Sequence, residues 1–233
     1  MKLKSVLKFS AAALCLSSGL SHAAGMLPET SVVVVEQAEG EKAMNVKNTD
    51  DHPVLMLTTL QNIKGDDETL LAVTPPAARV EAGKTQRVRF IVVSDKPLKT
   101  ERLKRVIFEG VPPQAKGETS QLRMTVRQNL PVLIRPAGLA KDPSPWKHLT
   151  WQQKGNSITV SNPSAYVVRL GQSVQTLPDN LSWTLPDSFI LPGQTLNISP
   201  DNNKQAGQAS KVRISPATTW GYSVDTYEAD LKR

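Results

Sequence analysis

Short runs of alternating or β-branched residues, each closed by a turn cluster, follow one another along most of this chain, and that punctuation decides the fold class. Ser31-Val32-Val33-Val34-Val35 is a β-branched run. Residues 43–47 alternate and end in the turn Asn48-Thr49-Asp50-Asp51-His52-Pro53. Residues 85–93 alternate as Gln86, Val88, Phe90, Val92 against Arg87, Arg89, Ile91. Seventeen prolines and 13 glycines interrupt the chain too often for a helix bundle, and no stretch sustains a helical or heptad period. The pattern predicts an all-β protein.

Further runs are predicted at residues 54–60, 70–73, 105–108 and 121–134, the last interrupted by Pro131. Arg135-Pro136-Ala137-Gly138 then reads as a hinge, repeated by Lys141-Asp142-Pro143-Ser144-Pro145. New runs follow at 149–152, 157–161, 166–170, 189–191, 195–198, 211–214 and 222–227. Turn signals at this spacing fit two antiparallel sandwiches, residues 24–136 and 137–233.

The first 23 residues read as a secretory signal peptide. Lys2, Lys4 and Lys8 precede a short apolar core, and Ser21-His22-Ala23 is a small-x-small cleavage site. The apolar core is too short to span a membrane, and Leu14 before Cys15 argues against a lipid anchor. Cys15 is the only cysteine, so the mature chain has no disulfide, thiolate nucleophile or cysteine metal site. Removing three of the 28 basic residues leaves 25 against 21 acids, a balance of +4. That mild excess, on an exported chain, argues against nucleic acid as a partner.

Catalytic constellations are missing. His52 and His148 lie in turn-like stretches, and no HExxH, GxSxG, P-loop or GxGxxG occurs, so neither enzyme activity nor a nucleotide, metal or other cofactor is expected. Asp66-Asp67-Glu68 reads as a solvated loop tip. Trp146, Trp151, Trp183 and Trp220 are too dispersed for a sugar-stacking platform and read as core residues.

One stretch carries a function. Leu122-Arg123-Met124-Thr125-Val126-Arg127 alternates apolar and polar. It reads either as an ordinary strand facing its own core or as an exposed edge. The polar loop Gln114-Ala115-Lys116-Gly117-Glu118-Thr119-Ser120 before it and the alternating arginines keep the second reading open, an edge able to join another protein's sheet.

Thr74-Pro75-Pro76-Ala77-Ala78-Arg79-Val80-Glu81-Ala82-Gly83, Thr100-Glu101-Arg102, Glu109-Gly110-Val111-Pro112-Pro113, Arg135-Pro136, Leu149-Thr150-Trp151 and Ser161-Asn162-Pro163-Ser164-Ala165-Tyr166 follow in order along nearly the whole mature chain. Together these segments resemble the PapD-like periplasmic pilus chaperones. The resemblance implies two immunoglobulin-like domains in a boomerang arrangement. It implies a periplasmic protein that lends a strand to pilus or fimbrial subunits and passes them to an outer-membrane usher. The lent side chains correspond to Leu122, Met124 and Val126, and the short preceding loop resembles the branch whose clients are adhesive rods. Glu101 and Arg135 correspond to an interdomain ion pair, with Asp225 as a candidate third member.

The chain departs from the family at the basic pair that anchors a subunit's terminal carboxylate. Those positions fall on Ser31 and Pro131, and no Lys or Arg lies between Gly25 and Glu41. The substitutes nearest in the pattern are Arg127, Arg105 and Arg89, in or beside the lending strand, with Asn129 as a neutral donor. Charge reversal at Arg127 or Arg105 is expected to matter more than reversal at Arg169. The alternative is a structural pilus subunit or adhesin with Ig-like domains, which a cysteine-free chain of two-domain length fits less well.

Overall fold

A computed structural model describes residues 25–113 and 125–233. The leader, Leu122 and Met124 lie outside the described residues.

Among the described residues, nine strands make the first sandwich: β1 (Met26–Pro28), β2 (Val33–Glu36), β3 (Glu41–Asn48), β4 (Val54–Gln61), β5 (Leu71–Thr74), β6 (Ala77–Val80), β7 (Thr85–Val92), β8 (Arg102–Val111) and β9 (Arg127–Arg135). One sheet has the order β1-β3-β7-β5 and the other β2-β9-β8-β4-β6. Alternation along each strand sends one set of side chains inward. Met44 and Val46 of β3, Val88 and Phe90 of β7, Val106 and Phe108 of β8, and Leu130, Val132 and Ile134 of β9 form the common core. Pro131 does not interrupt β9, because its half of the strand is laddered on one side only.

Ten shorter strands make the second sandwich: β10 (Thr150–Lys154), β11 (Ser157–Ser161), β12 (Val168–Leu170), β13 (Ser173–Leu177), β14 (Ser182–Thr184), β15 (Phe189–Ile190), β16 (Thr195–Ile198), β17 (Lys211–Ile214), β18 (Pro216–Ala217) and β19 (Tyr227–Lys232). They form a sheet ordered β14-β13-β17-β19-β10-β11-β16 and a small sheet β15-β12-β18. β19 joins the two parts of the larger sheet, antiparallel to β17 and parallel to β10. Trp146, Trp151 and Trp183 fill this core, whereas Trp220, expected there, is 46% exposed on a loop.

Both sandwiches use a buried asparagine in the same way. Asn48 Nδ2 donates to the carbonyls of His52 (2.9 Å) and Val80 (3.1 Å), and Asn162 Nδ2 donates to those of Tyr166 (2.8 Å) and Ile190 (3.1 Å). Each side-chain carbonyl accepts the N–H two residues on, an Asx turn that pins a loop to another strand. A third apolar cluster joins the domains: Val32, Ile63, Leu103 and Leu133 of the first against Val167 of the second.

Candidate functional site

β9 is paired unequally along its length. Its ladder with β8 runs from Glu109↔Arg127 to Arg102↔Ile134. Its parallel ladder with β2 covers only Val33↔Val132 to Glu36↔Arg135. From Arg127 to Pro131 one side of the strand therefore has no ladder partner among the described residues. Such an edge is a template for another chain. Val126, just before the strand, is 43% exposed.

Because Val106, Phe108, Leu130 and Val132 face the core, the alternate residues cover the opposite face of the sheet. Register aligns them in rows: Leu57–Glu109–Arg127, Thr59–Ile107–Asn129 and Gln61–Arg105–Pro131, ending at Leu103–Leu133 in the interdomain cluster. The wall thus mixes apolar surface with charge and runs from the strand edge into the junction.

The basic residues on it differ in their partners. Arg127 Nε lies 2.8 Å from Glu109 Oε2. Arg105 donates from Nε to Asn129 Oδ1 (2.6 Å) and from Nη2 to the Asn129 carbonyl (2.8 Å), and burial lowers its pKa. Arg89 was expected in a strand neighbouring β9, but β7 pairs with β3 and β5 in the other sheet, where Arg89 forms an ion pair with Glu41. The alternating pattern of β7 reveals a strand but not its sheet, so Arg89 belongs to a different face.

At the junction, Arg135 and Glu101 are each 2% exposed at the side chain and meet at 3.1 Å (Nε to Oε1). Arg135 Nη1 donates to Glu36 Oε1 at 2.8 Å. Glu101 Oε2 accepts the Val167 N–H at 2.9 Å, and the Glu101 N–H donates to the Ala165 carbonyl at 2.8 Å. Burial raises the Glu101 pKa, opposed by the Val167 N–H and by Arg135. The third member is Glu36, not Asp225. It is brought in by the parallel register Glu36↔Arg135, which no local pattern announces.

Asp66 also departs from expectation. Its side chain is 9% exposed and takes ion pairs from Arg102 and from Lys104 Nζ (2.9 Å). Lys104, 3% exposed, also donates to Asn62 Oδ1 and to the Asp66 carbonyl. The acidic loop is therefore a clasp over the end of the first core. Ser31 stays exposed but has Gly221 of the second domain beside it: a Cβ added to Gly221 would stand 2.5 Å from Ser31 Oγ. Among the described residues no group of three or more His, Cys, Asp or Glu is placed to hold a metal.

Residues 25–140 match the family described as pili and flagellar-assembly chaperone, PapD N-terminal domain, and residues 144–227 match pili assembly chaperone PapD, C-terminal domain. The chain belongs to the PapD-like pilus-assembly chaperones. Membership brings the two-domain all-β fold and a chaperone without catalytic role, and it does not favour a structural subunit. The fimbrial chaperone YhcA of Escherichia coli K12 is 41% identical over 211 residues, 90% of this chain and 92% of that one. The crystal structure of the YadV chaperone superposes with a TM-score of 0.72 at 19% identity, covering 88% of this chain and 99% of that one. The SafB chaperone, solved in complex with the SafA pilin of Salmonella enterica, superposes with a TM-score of 0.73 at 19% identity, covering 91% and 98%. At those identities the two structures bear on the fold alone.

Proposed function

We propose that this chain is a periplasmic chaperone that binds pilus or fimbrial subunits by lending them a strand and then hands them to an outer-membrane usher. The observation that carries the reading is the one-sided ladder of β9 at Arg127–Pro131. The alternating residues Leu122, Met124 and Val126 lead into that edge.

A subunit whose sandwich lacks a strand exposes an apolar groove between two unpaired edges. A borrowed strand supplies main-chain hydrogen bonds and fills the groove with every second side chain. Full burial of each side chain contributes about 1.5–3 kcal/mol of transfer free energy, part of which the cost of association cancels. Basic residues on the wall fix the register, Arg105 with Asn129 and Arg127 beside Glu109. The buried Arg135–Glu101–Glu36 cluster sets the angle between domains 24–136 and 137–233, once a leader ending at Ala23 has been removed.

Co-expression with a pilus subunit tests the reading. Soluble subunit is expected to co-purify one-to-one with this chain from the periplasm and to be degraded or aggregated in its absence. Equal recovery of soluble subunit with and without the chain ends the proposal.

A further inference from the structure

Lys104 is a lysine on the core side of its strand. It alternates in phase with Val106 and Phe108 of β8, and its side chain is 4% exposed. A charge in that position is stable only while it is paired and hydrogen-bonded. Its partners come from one short turn. Counting on from Gln61↔Arg105, Asn62 and Ile63 run beside Lys104 and Leu103. The chain then reverses at residues 63–66, where the Asp66 N–H donates to the Ile63 carbonyl at 3.1 Å. Lys104 Nζ donates to Asn62 Oδ1 (2.9 Å), to the Asp66 carbonyl (2.7 Å) and to Asp66 Oδ1 (2.9 Å). Arg102 donates from Nε to Asp66 Oδ2 at 2.8 Å and from Nη1 to Glu68 Oε2 at 3.0 Å.

The other end of the same turn belongs to the domain junction. Ile63 is 6% exposed and packs in the apolar cluster that holds Leu103 and Leu133 of the first domain and Val167 of the second. One residue before Arg102, Glu101 accepts the Val167 N–H. Among the described residues Lys104 is paired with no carboxylate but Asp66, whereas Arg102 also has Glu68, and no further charged side chain is paired with Asp66. A proton on Asp66 therefore leaves Lys104 as a buried cation without a counter-charge, which is strongly unfavourable. Lys104 reaches water only if the turn swings aside, and that movement draws Ile63 out of the cluster.

We infer that the turn 63–66 is an acid-released latch on the domain junction, held shut by Asp66 between Arg102 and Lys104 and opened when Asp66 is protonated. Burial pushes the Asp66 carboxyl up, but the bonds and charges of Arg102 and Lys104 outweigh it and hold the group below its ordinary value. The latch is thus shut at neutral pH, and its contribution is lost as pH falls through the folded value, below about pH 4. Leu133 belongs to β9, so the loosening reaches the strand that carries the open edge. The inference does not depend on strand lending.

The test follows amide hydrogen exchange in the full mature chain labelled with 15N. The Val167 N–H reports the junction, because its acceptor lies in the other domain, and the amides of β7 report the first core. Asp66→Asn at pH 7 should lower Val167 protection at least about tenfold while β7 keeps its own. Adding Lys104→Met removes the stranded charge and should return Val167 to within about threefold of the parent. In the parent, Val167 protection should fall between about pH 5 and 3 ahead of β7, and the double variant should lack that fall. Unchanged Val167 protection in Asp66→Asn, joint loss at Val167 and β7, or a double variant as unprotected as the single would each overturn the latch. So would an acid response shared by the parent and the double variant, which would assign the sensing to Glu101, Arg135 and Glu36 instead.

Discussion

The carboxylate of Glu101 in the first domain accepts the main-chain N–H of Val167 in the second at 2.9 Å, while its other oxygen is held by Arg135. One buried side chain therefore belongs to both domains.

Removing Arg135 leaves two carboxylates, Glu101 and Glu36, without their shared cation. Arg135→Met is expected to destabilise the protein by about 3–5 kcal/mol, and Glu101→Gln by less because the amide still accepts from Val167. All four tryptophans lie beyond Arg135, so their fluorescence reports the second domain while far-UV circular dichroism reports both. With Arg135→Met the two urea transitions should separate. Coincident, unshifted transitions would show that the cluster does not couple the domains.

Val126 is exposed beside the open edge, so a charge there costs the free fold little. Val126→Asp should keep Tm within about 0.5 kcal/mol equivalent of the parent. It should nevertheless sharply reduce co-purified subunit. Met124→Asp, on the same alternating set, should do the same.

The Asp66 clasp predicts a direction for acid sensitivity. Burial opposes ionisation of Asp66, but hydrogen bonds and charges from Arg102 and Lys104 outweigh it and hold the carboxyl below its ordinary value. Its folded pKa lies below its unfolded one, so its contribution is present above the unfolded pKa and is lost as pH falls through the folded value. Asp66→Asn should flatten the fall of Tm below about pH 4. Glu101 is shifted the opposite way, so Glu101→Gln should not flatten it.

Gly221 has φ +88, and a Cβ there would lie 2.5 Å from Ser31 Oγ and 2.7 Å from Val32 Cγ2. Gly221→Ala should cost about 1–3 kcal/mol through backbone strain and the clash. Adding Ser31→Gly should relieve only part of it, because Val32 and the backbone angle remain. Thermal unfolding of the three variants measures the difference.

The paired asparagines give a symmetric test. Asn48→Ala strands the carbonyls of His52 and Val80, and Asn162→Ala those of Tyr166 and Ile190. Each should destabilise by about 1–3 kcal/mol. Only Asn162→Ala should shift the tryptophan-monitored midpoint directly.

The sequence made strands legible where periodicity and turn chemistry act locally. β3 and β7 coincide with alternating runs, β4 with an apolar run closed by a turn, and the tryptophan-bearing core follows from size and apolarity. What it concealed was long-range register. Alternation on β7 does not say that Arg89 joins a different sheet from Arg105. Glu36 enters the junction only through the parallel pairing of β2 with β9. Asp66, in a loop rich in acids, looks solvated until Arg102 and Lys104 close over it. Alternation over 122–127 says nothing of how far the following strand is paired, and the one-sided ladder of Arg127–Pro131 emerges only from the registers with β8 and β2.

β19 has a consequence for how the second domain comes into being. Its larger sheet is two separate groups of strands until Tyr227–Lys232 slides between β17 and β10. A chain emerging N-terminus first can complete its first sandwich early. The second must wait for the last of these strands, so an intermediate that lacks it is half-finished and vulnerable to proteases.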